Sequence, residues 1–382
     1  MVIFNLFLDQ SATTTSSTYH AFSNRNLLSC GLVCRVWLRT CRYHQFQKIN
    51  IHDSNARGLS ALLRSGNCTF VPFVRHLEIS DWSRTVEGDP EGRGTRDELM
   101  EAVSDACTSF SLDSLYLVAM VWSAIYPKTH VDLLSLCGLS EFSCNRIIFE
   151  SPDAFVGILR SFPRLRRVRF NLATVLHRNM SPPSEATAYL LPNLDALEIS
   201  NSPTKIILAA LKSVSALSTL RLQGLKIGDI PHVGGIMRAS EQSLTIVSLR
   251  MRSLGLKDKT IGVFLLPHYL QILILDSDTI LRTVNLSRHT KLRSIELSVD
   301  ESDQAAQFIL VLLSQVASSI TDVILHLWDA TRFDETFWTT LSNILEGTHF
   351  AHMRKLLIYG RAVDFIRTQL PAYHARGILQ FP

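Results

Sequence analysis

The sequence predicts an open, curved α/β solenoid, a parallel sheet of about eleven strands backed on its other face by short helices. Three observations predict it. A six-residue phrase (apolar, two of any kind, apolar, one of any kind, apolar) recurs eleven times. The copies start 21 to 38 residues apart. A unit that small cannot bury its own apolar face, so neighbouring units have to stack. Between the phrases lie segments with helical apolar spacing, and Pro152, Pro163, Pro192, Pro203 and Pro231 punctuate the joins.

In order, the phrases begin at Val74, Leu112, Cys144, Leu165, Leu194, Leu217, Leu244, Leu270, Leu292, Ile320 and Met353. The last two apolar positions alternate as in a half-buried strand, and the first sits where the chain enters it. This phrase and period are those of a leucine-rich-repeat-like solenoid. A further strand is expected at Lys48 to Ile51. Helices are expected at Ala56 to Leu63, Asp97 to Ala106, Asp153 to Arg160, Thr204 to Leu211, Ala305 to Gln315 and Phe337 to Leu345. Ser83 to Arg96 and Met180 to Ala186 read as polar loops on the rim.

Composition narrows the function. Of 382 residues, 46% are apolar and 19% charged, the balance of a folded chain. A net charge of +4 is too small over this length to imply nucleic acid. Seven cysteines, an odd count without a CxxC, fit a reducing compartment better than a disulfide framework. Cys30 and Cys34 lie one helical turn apart, but no second pair completes a zinc site. No GxSxG, HExxH, GxxxxGK[ST] or GxGxxG occurs, so neither enzyme activity, metal nor cofactor is expected. His268, His289, His326 and His352 lie near repeat strands and are expected as edge or face contacts. MVIFNLFL lacks a basic n-region and is expected to be a docked helix, not a signal peptide. The most apolar internal stretch, Ile261 to Leu275, contains Pro267 and is too short to span a bilayer, so no membrane partner is expected.

The N-terminal region is organised differently. Met1 to Asp9 is apolar, and Gln10 to Asn26 is a polar stretch centred on SATTTSST. Leu27, Cys30, Cys34 and Trp37 then form one apolar helical stripe, with Asn26 as its N-cap. Residues Asn26 to Ile51, NLLSCGLVCRVWLRTCRYHQFQKINI, resemble the second half of an F-box. Leu28, Leu32, Val33, Cys34, Arg35 and Trp37 stand at the places of that family's core motif. The LVCRxWL run ahead of repeat strands is similar to F-box proteins expanded in mushroom-forming fungi. The Leu-Pro start of a full F-box is missing, and Ile3 to Gln10 matches only the end of its first helix. The resemblance divides the chain into an F-box-like helical segment, 1–50, interrupted by the polar insert 10–26, and a leucine-rich-repeat-like domain, 51–382. It implies a substrate-recognition adaptor of an SCF-type cullin-RING ubiquitin ligase, working in the cytoplasm or nucleus. Leu28, Leu32, Val33, Cys34 and Trp37 would then dock on the Skp-type linker subunit. The alternative is a non-catalytic repeat scaffold for protein–protein interaction, with the F-box remnant only an N-terminal cap.

Strand geometry places a binding surface. The third and fifth residues of each phrase face away from the core. On the expected concave face this puts Arg146, Arg167, Arg169, Arg221 and Arg250, a cluster suited to an acidic or phosphorylated protein substrate. An internal network with Glu198 is the competing expectation. A nucleic-acid reader on FPRLRRVRF is disfavoured because aromatic interleaving is thin.

Overall fold

A computed structural model describes residues 35–65, 68–81, 92–175, 193–211, 214, 217–251, 284–299 and 303–382. The chain divides into two compact units, Met1–Ser181 and Pro182–Pro382. The phrase is what makes the strands. In the first unit β1 (Lys48–His52), β2 (His76–Ser80), β3 (Ser114–Val118), β4 (Glu141–Asn145) and β6 (Arg167–Asn171) pair in sequence, all parallel. A second, two-stranded ladder pairs β5 (Ile148–Phe149) with β7 (Thr174–Val175). In the second unit β8 (Ala196–Ser200), β9 (Thr219–Leu225), β10 (Ile246–Met251), β11 (Ser294–Val299), β12 (Asp322–Asp329), β13 (Lys355–Arg361) and β14 (Leu379–Gln380) do the same. This is a leucine-rich-repeat-like α/β solenoid.

Nine of the eleven phrases produce a strand that begins two residues in, as expected. The phrase at Cys144 does not. Its strand is Glu141–Asn145, so the working phrase there starts at Leu139, with Leu139, Phe142 and Cys144 buried. The phrase at Leu270 lies outside the described residues, and β10 and β11, the strands before and after it, pair directly with each other. Strand β14 was not expected. Within the loop expected from Ser83 to Arg96, residues 92–96 instead begin the helix Gly92–Ser109. The rest of that loop, Met180 to Ala186, Met1 to Asn26 and Ile261 to Leu275 fall outside or largely outside the described residues.

Helices back each sheet. In the first unit they are α1 (Arg35–Phe46), α2 (Asp53–Arg64), α3 (Gly92–Ser109), α4 (Pro127–Leu134) and α5 (Pro152–Ser161). Local chemistry starts them. Asn55, 4% exposed, accepts the His52 backbone N–H (3.0 Å) and donates to the Asn50 carbonyl (2.8 Å), tying the start of α2 to β1. Ser151 caps α5 by accepting from the Ala154 N–H, with Pro152 in the first turn. Between sheet and helices lies the core. Phe142, Phe149, Phe155, Phe162 and Phe170 form its aromatic part, with ring centroids 5.0 to 5.7 Å apart for the Phe155–Phe170, Phe142–Phe162 and Phe149–Phe155 pairs. Each phrase among the described residues buries three apolar side chains, at roughly 1.5–3 kcal/mol apiece. That is why the phrase is kept while the joins vary.

Two backbone ladders hold the repeats in register. At nine strand starts one carbonyl accepts two N–H groups from the next repeat. Gln47 takes Arg75 and His76, Arg75 takes Asp113 and Ser114, Asp113 takes Ser140 and Glu141, and Ser140 takes Arg166 and Arg167. The second unit repeats this from Asp195 through Ser218, Thr245 and Arg293 to Thr321. At the strand ends Ala119, Arg146, Leu172 and Asn201 turn the chain away in left-handed conformation (φ 49° to 56°). The N–H groups of Ala119, Arg146 and Asn201 donate to the carbonyls of Asn145, Asn171 and Gln223 in the following strand, at 2.8–2.9 Å.

Leu172 adopts this conformation without glycine's freedom and is exposed. The strain of a left-handed non-glycine residue is about 1–2 kcal/mol. Leu172→Gly is expected to raise stability slightly in urea unfolding, by less than that strain because glycine also loosens the unfolded chain. Gly360 is the opposite case. It stands in β13 at the register shift against β12, where a Cβ would overlap the Leu327 carbonyl oxygen. Gly360→Ala is expected to lose about 1–3 kcal/mol in the same measurement.

Candidate interaction surface

The open sheet face, opposite the helices, carries the third and fifth phrase positions. In the first unit it is a hydrogen-bonded polar surface. Lys48 Nζ lies 2.6 Å from Glu78 Oε2. His76 lies 2.6 Å from Ser114 Oγ on one side and 3.2 Å from Gln47 Nε2 on the other. Asn171 Nδ2 donates to Asn145 Oδ1 (3.2 Å). Register puts Glu141 beside Arg167, whose Nη1 donates to Glu141 Oε1 at 2.8 Å.

In the second unit register places Glu198 beside Arg221 and Ser248 beside Glu296. Arg221 Nη1 donates to Glu198 Oε1 (3.0 Å). Glu296 accepts from His326 Nε2 (2.9 Å), and the His326 ring stacks on Tyr359 with centroids 4.3 Å apart and planes 8° from parallel. The hydrogen bond from His326 holds the Glu296 carboxyl below its ordinary range, helped by Ser248 and Arg221 against the cost of burial.

The expected arginine column is therefore altered in three ways. Arg146 is not on a strand: it occupies the left-handed corner after β4, exposed, and the face position is taken by Glu141. Arg167 and Arg221 are paired with Glu141 and Glu198. Arg146, Arg167 and Arg169 belong to the first unit, and Arg221 and Arg250 to the second. Arg169 is exposed beside Ser143, and Arg250 is half-exposed between Gln223 and Ser298. Sequence reading missed Glu141 because the phrase was set five residues late. It missed the Glu296–His326–Tyr359 chain because it contains no motif, only strand register. Of the other histidines, His289 is buried and its imidazole pKa is pushed down by burial. His352 is exposed in the turn before β13, and His268 lies outside the described residues.

Two further sites have electrostatic character. Asp53 and Asp81 follow β1 and β2 at matching places, and Arg96 of α3 lies 3.8 Å from Asp81. Burial, then the Asp81 charge, pushes the Asp53 carboxyl up, with Arg96 acting the other way. Two buried thiols are unreactive in character: burial raises Cys107 to about 12, with Asp132 adding to it, and raises Cys144 as well. Among the described residues no group of three or more His, Cys, Asp or Glu could hold a metal ion, and no helix is long and apolar enough to cross a membrane.

Of the proposed linker-docking residues, Leu28, Leu32, Val33 and Cys34 lie outside the described residues. Trp37 falls in the first turn of α1. That helix is joined to β1 through Gln47 alone. Phe46 stacks on Phe70 with centroids 5.1 Å apart, and Cys41 is buried.

The class defined by these elements is a repeat scaffold with a broad polar face. No family model matches the sequence, and no curated protein matches it. Solved structures similar to the chain include the following three. One is a protein from Bacteroides fragilis, 12% identical over 88% of this chain and 73% of that one, with a TM-score of 0.36. A second is TLR13 in complex with ssRNA13, 11% identical over 81% of this chain and 36% of that one, TM-score 0.34. The third is an internalin from Listeria monocytogenes, 12% identical over 80% and 70%, TM-score 0.28.

Glu296→Gln tests the face network. A carboxyl held low in the folded state adds stability above its unfolded range, and that stability is lost as pH falls through the folded value. The variant is expected to lose roughly 1 kcal/mol at neutral pH. Its deficit should shrink in urea titrations taken as pH falls below the ordinary carboxylate range, through the depressed folded-state value at which the wild-type carboxyl also protonates.

Proposed function

We propose that this chain is a substrate-recognition adaptor of an SCF-type cullin-RING ubiquitin ligase. The F-box-like segment around Leu28, Leu32, Val33, Cys34 and Trp37 docks on the Skp-type linker subunit, in the cytoplasm or nucleus. The repeat domain holds the protein to be ubiquitinated, one with an acidic or phosphorylated segment. The chain performs no catalysis; it supplies proximity, which pays only if both partners are held in fixed geometry. The supporting observation is the single-residue connection between α1 and β1, with Phe46 stacked on Phe70 ahead of β2 and Cys41 buried. Such a connection ties a docking helix to a recognition sheet without a flexible joint.

The same packing supports a second reading, in which α1 covers the free side of β1 as a cap and the chain is a scaffold only. Co-precipitation with purified linker subunit separates the two. The adaptor reading expects stable association of the full chain. It also expects Leu32→Asp with Val33→Asp to cut that association at least tenfold while leaving the thermal unfolding of the repeats in place. Absence of association in the wild type leaves the scaffold reading.

A further inference from the structure

The arginines of the open face are largely consumed by their neighbours, but another set of cations is not. It lies in the second unit, on the turns that lead into β11, β12, β13 and β14. Arg288, Lys291 and Arg293 precede β11, Arg354 precedes β13, Lys355 begins it, and Arg376 precedes β14. All are exposed except Lys355, which is half-exposed. Among the described residues none of Arg288, Lys291, Arg293, Arg354 and Lys355 forms an ion pair; Arg376 lies over the Tyr373 ring at 5.9 Å.

The backbone ladder holds these turns side by side. The Arg293 carbonyl accepts from Thr321 and Asp322, the Thr321 carbonyl accepts from Arg354 and Lys355, and the His349 carbonyl accepts from Ile320. Arg293 and Arg354 thus stand in one row two strands apart, roughly 10 Å. The turn between them is built of small hydroxyl residues, with Ser319 exposed and Thr321 half-exposed. Carboxylates also stand near this row: Asp322 accepts from the Thr321 hydroxyl (2.8 Å) and lies beside Lys355 in strand register, Glu241 acts on buried His289, and Glu346, at the end of the helix Glu335–Leu345, acts on Tyr373.

We infer that this edge is an anion-binding surface for an acidic or phosphorylated segment of a protein partner. Arg293 and Arg354, about a Debye length apart, repel each other, and a carboxylate- or phosphate-bearing chain laid along the turns relieves that repulsion. Arginine forks and serine or threonine hydroxyls bind such oxygens directly. A protein segment is favoured over a nucleic acid because the Phe350 and Tyr373 rings of this edge are buried, which leaves only imidazoles, among them His349 and His352, in the open for base stacking. The inference rests on the reading of the repeats as a protein-binding scaffold, and not on linker docking.

The test is fluorescence anisotropy of the full chain with a labelled oligo-glutamate peptide and with its phosphoserine counterpart, which separates carboxylate from phosphate as the preferred anion. Both are expected to bind in a salt-sensitive way. Lys291→Glu with Arg293→Glu and Arg354→Glu is expected to weaken binding of the better peptide roughly tenfold. The matching Gln triple variant keeps the test free of any folding defect from charge reversal and should weaken binding less. Arg167→Glu with Arg169→Glu on the open face should leave it within twofold. Wild-type binding in the Glu and Gln triple variants alike, a larger loss from the Arg167 and Arg169 pair, or tighter binding of an oligonucleotide of matched charge would each overturn the inference. Failure of linker association touches none of these outcomes.

Discussion

Everything in this fold depends on one shared carbonyl per repeat. At the foot of nine strands a single backbone oxygen accepts two N–H groups from the next repeat. A parallel ladder slipped by one residue would move every buried side chain to the open face. The double acceptor removes that freedom, because it fixes where the next strand begins. Phrase position then meets phrase position across each sheet: Leu77 beside Leu115 and Phe142 beside Val168 in one unit, Leu220 beside Val247 and Ile295 beside Val323 in the other. Apolar burial supplies the energy, and the ladder decides which side chains receive it.

The same register governs the charges. Glu141 meets Arg167 and Glu198 meets Arg221 because each pair occupies equal positions in adjacent repeats. Such exposed pairs contribute little stability, with a median of about 0–1 kcal/mol. Their larger effect is on the surface, since they cancel cations that would otherwise face a partner. On the turns before the strands the outcome depends on which residues meet. Arg75 meets Asp113 before β2 and β3, at 4.0 Å. Before β11 and β13 the equal positions hold Arg293 and Arg354 with Thr321 between them, and among the described residues these cations form no ion pair.

Most of the strand plan was legible in the sequence because burial of three apolar side chains leaves a six-letter trace. The trace failed where a second apolar triplet overlapped the first. Cys144, Ile147 and Phe149 satisfy the pattern as well as Leu139, Phe142 and Cys144 do, and all five residues are buried. Only the left-handed turn at Arg146 distinguishes them, and an arginine gives no sign of that conformation. Strand β14 escaped notice because it is two residues long. Helix Pro127–Leu134 escaped because eight residues carry barely two turns of periodicity. The face network was illegible for a different reason. His326, Glu296 and Tyr359 are 30 and 33 residues from their neighbours in the chain, and only the strand pairing brings them together.

The one-residue link at Gln47 gives the first unit a property that ordinary tethered domains lack. Where a flexible linker sets distance as an average, a helix continuous with a sheet sets it by counting. Every strand between α1 and a given face position adds a step of about 4.8 Å. Reach in such a molecule is quantised: it can lengthen or shorten only by whole repeats, so its evolution would proceed by duplication and deletion of units rather than by gradual change in a linker.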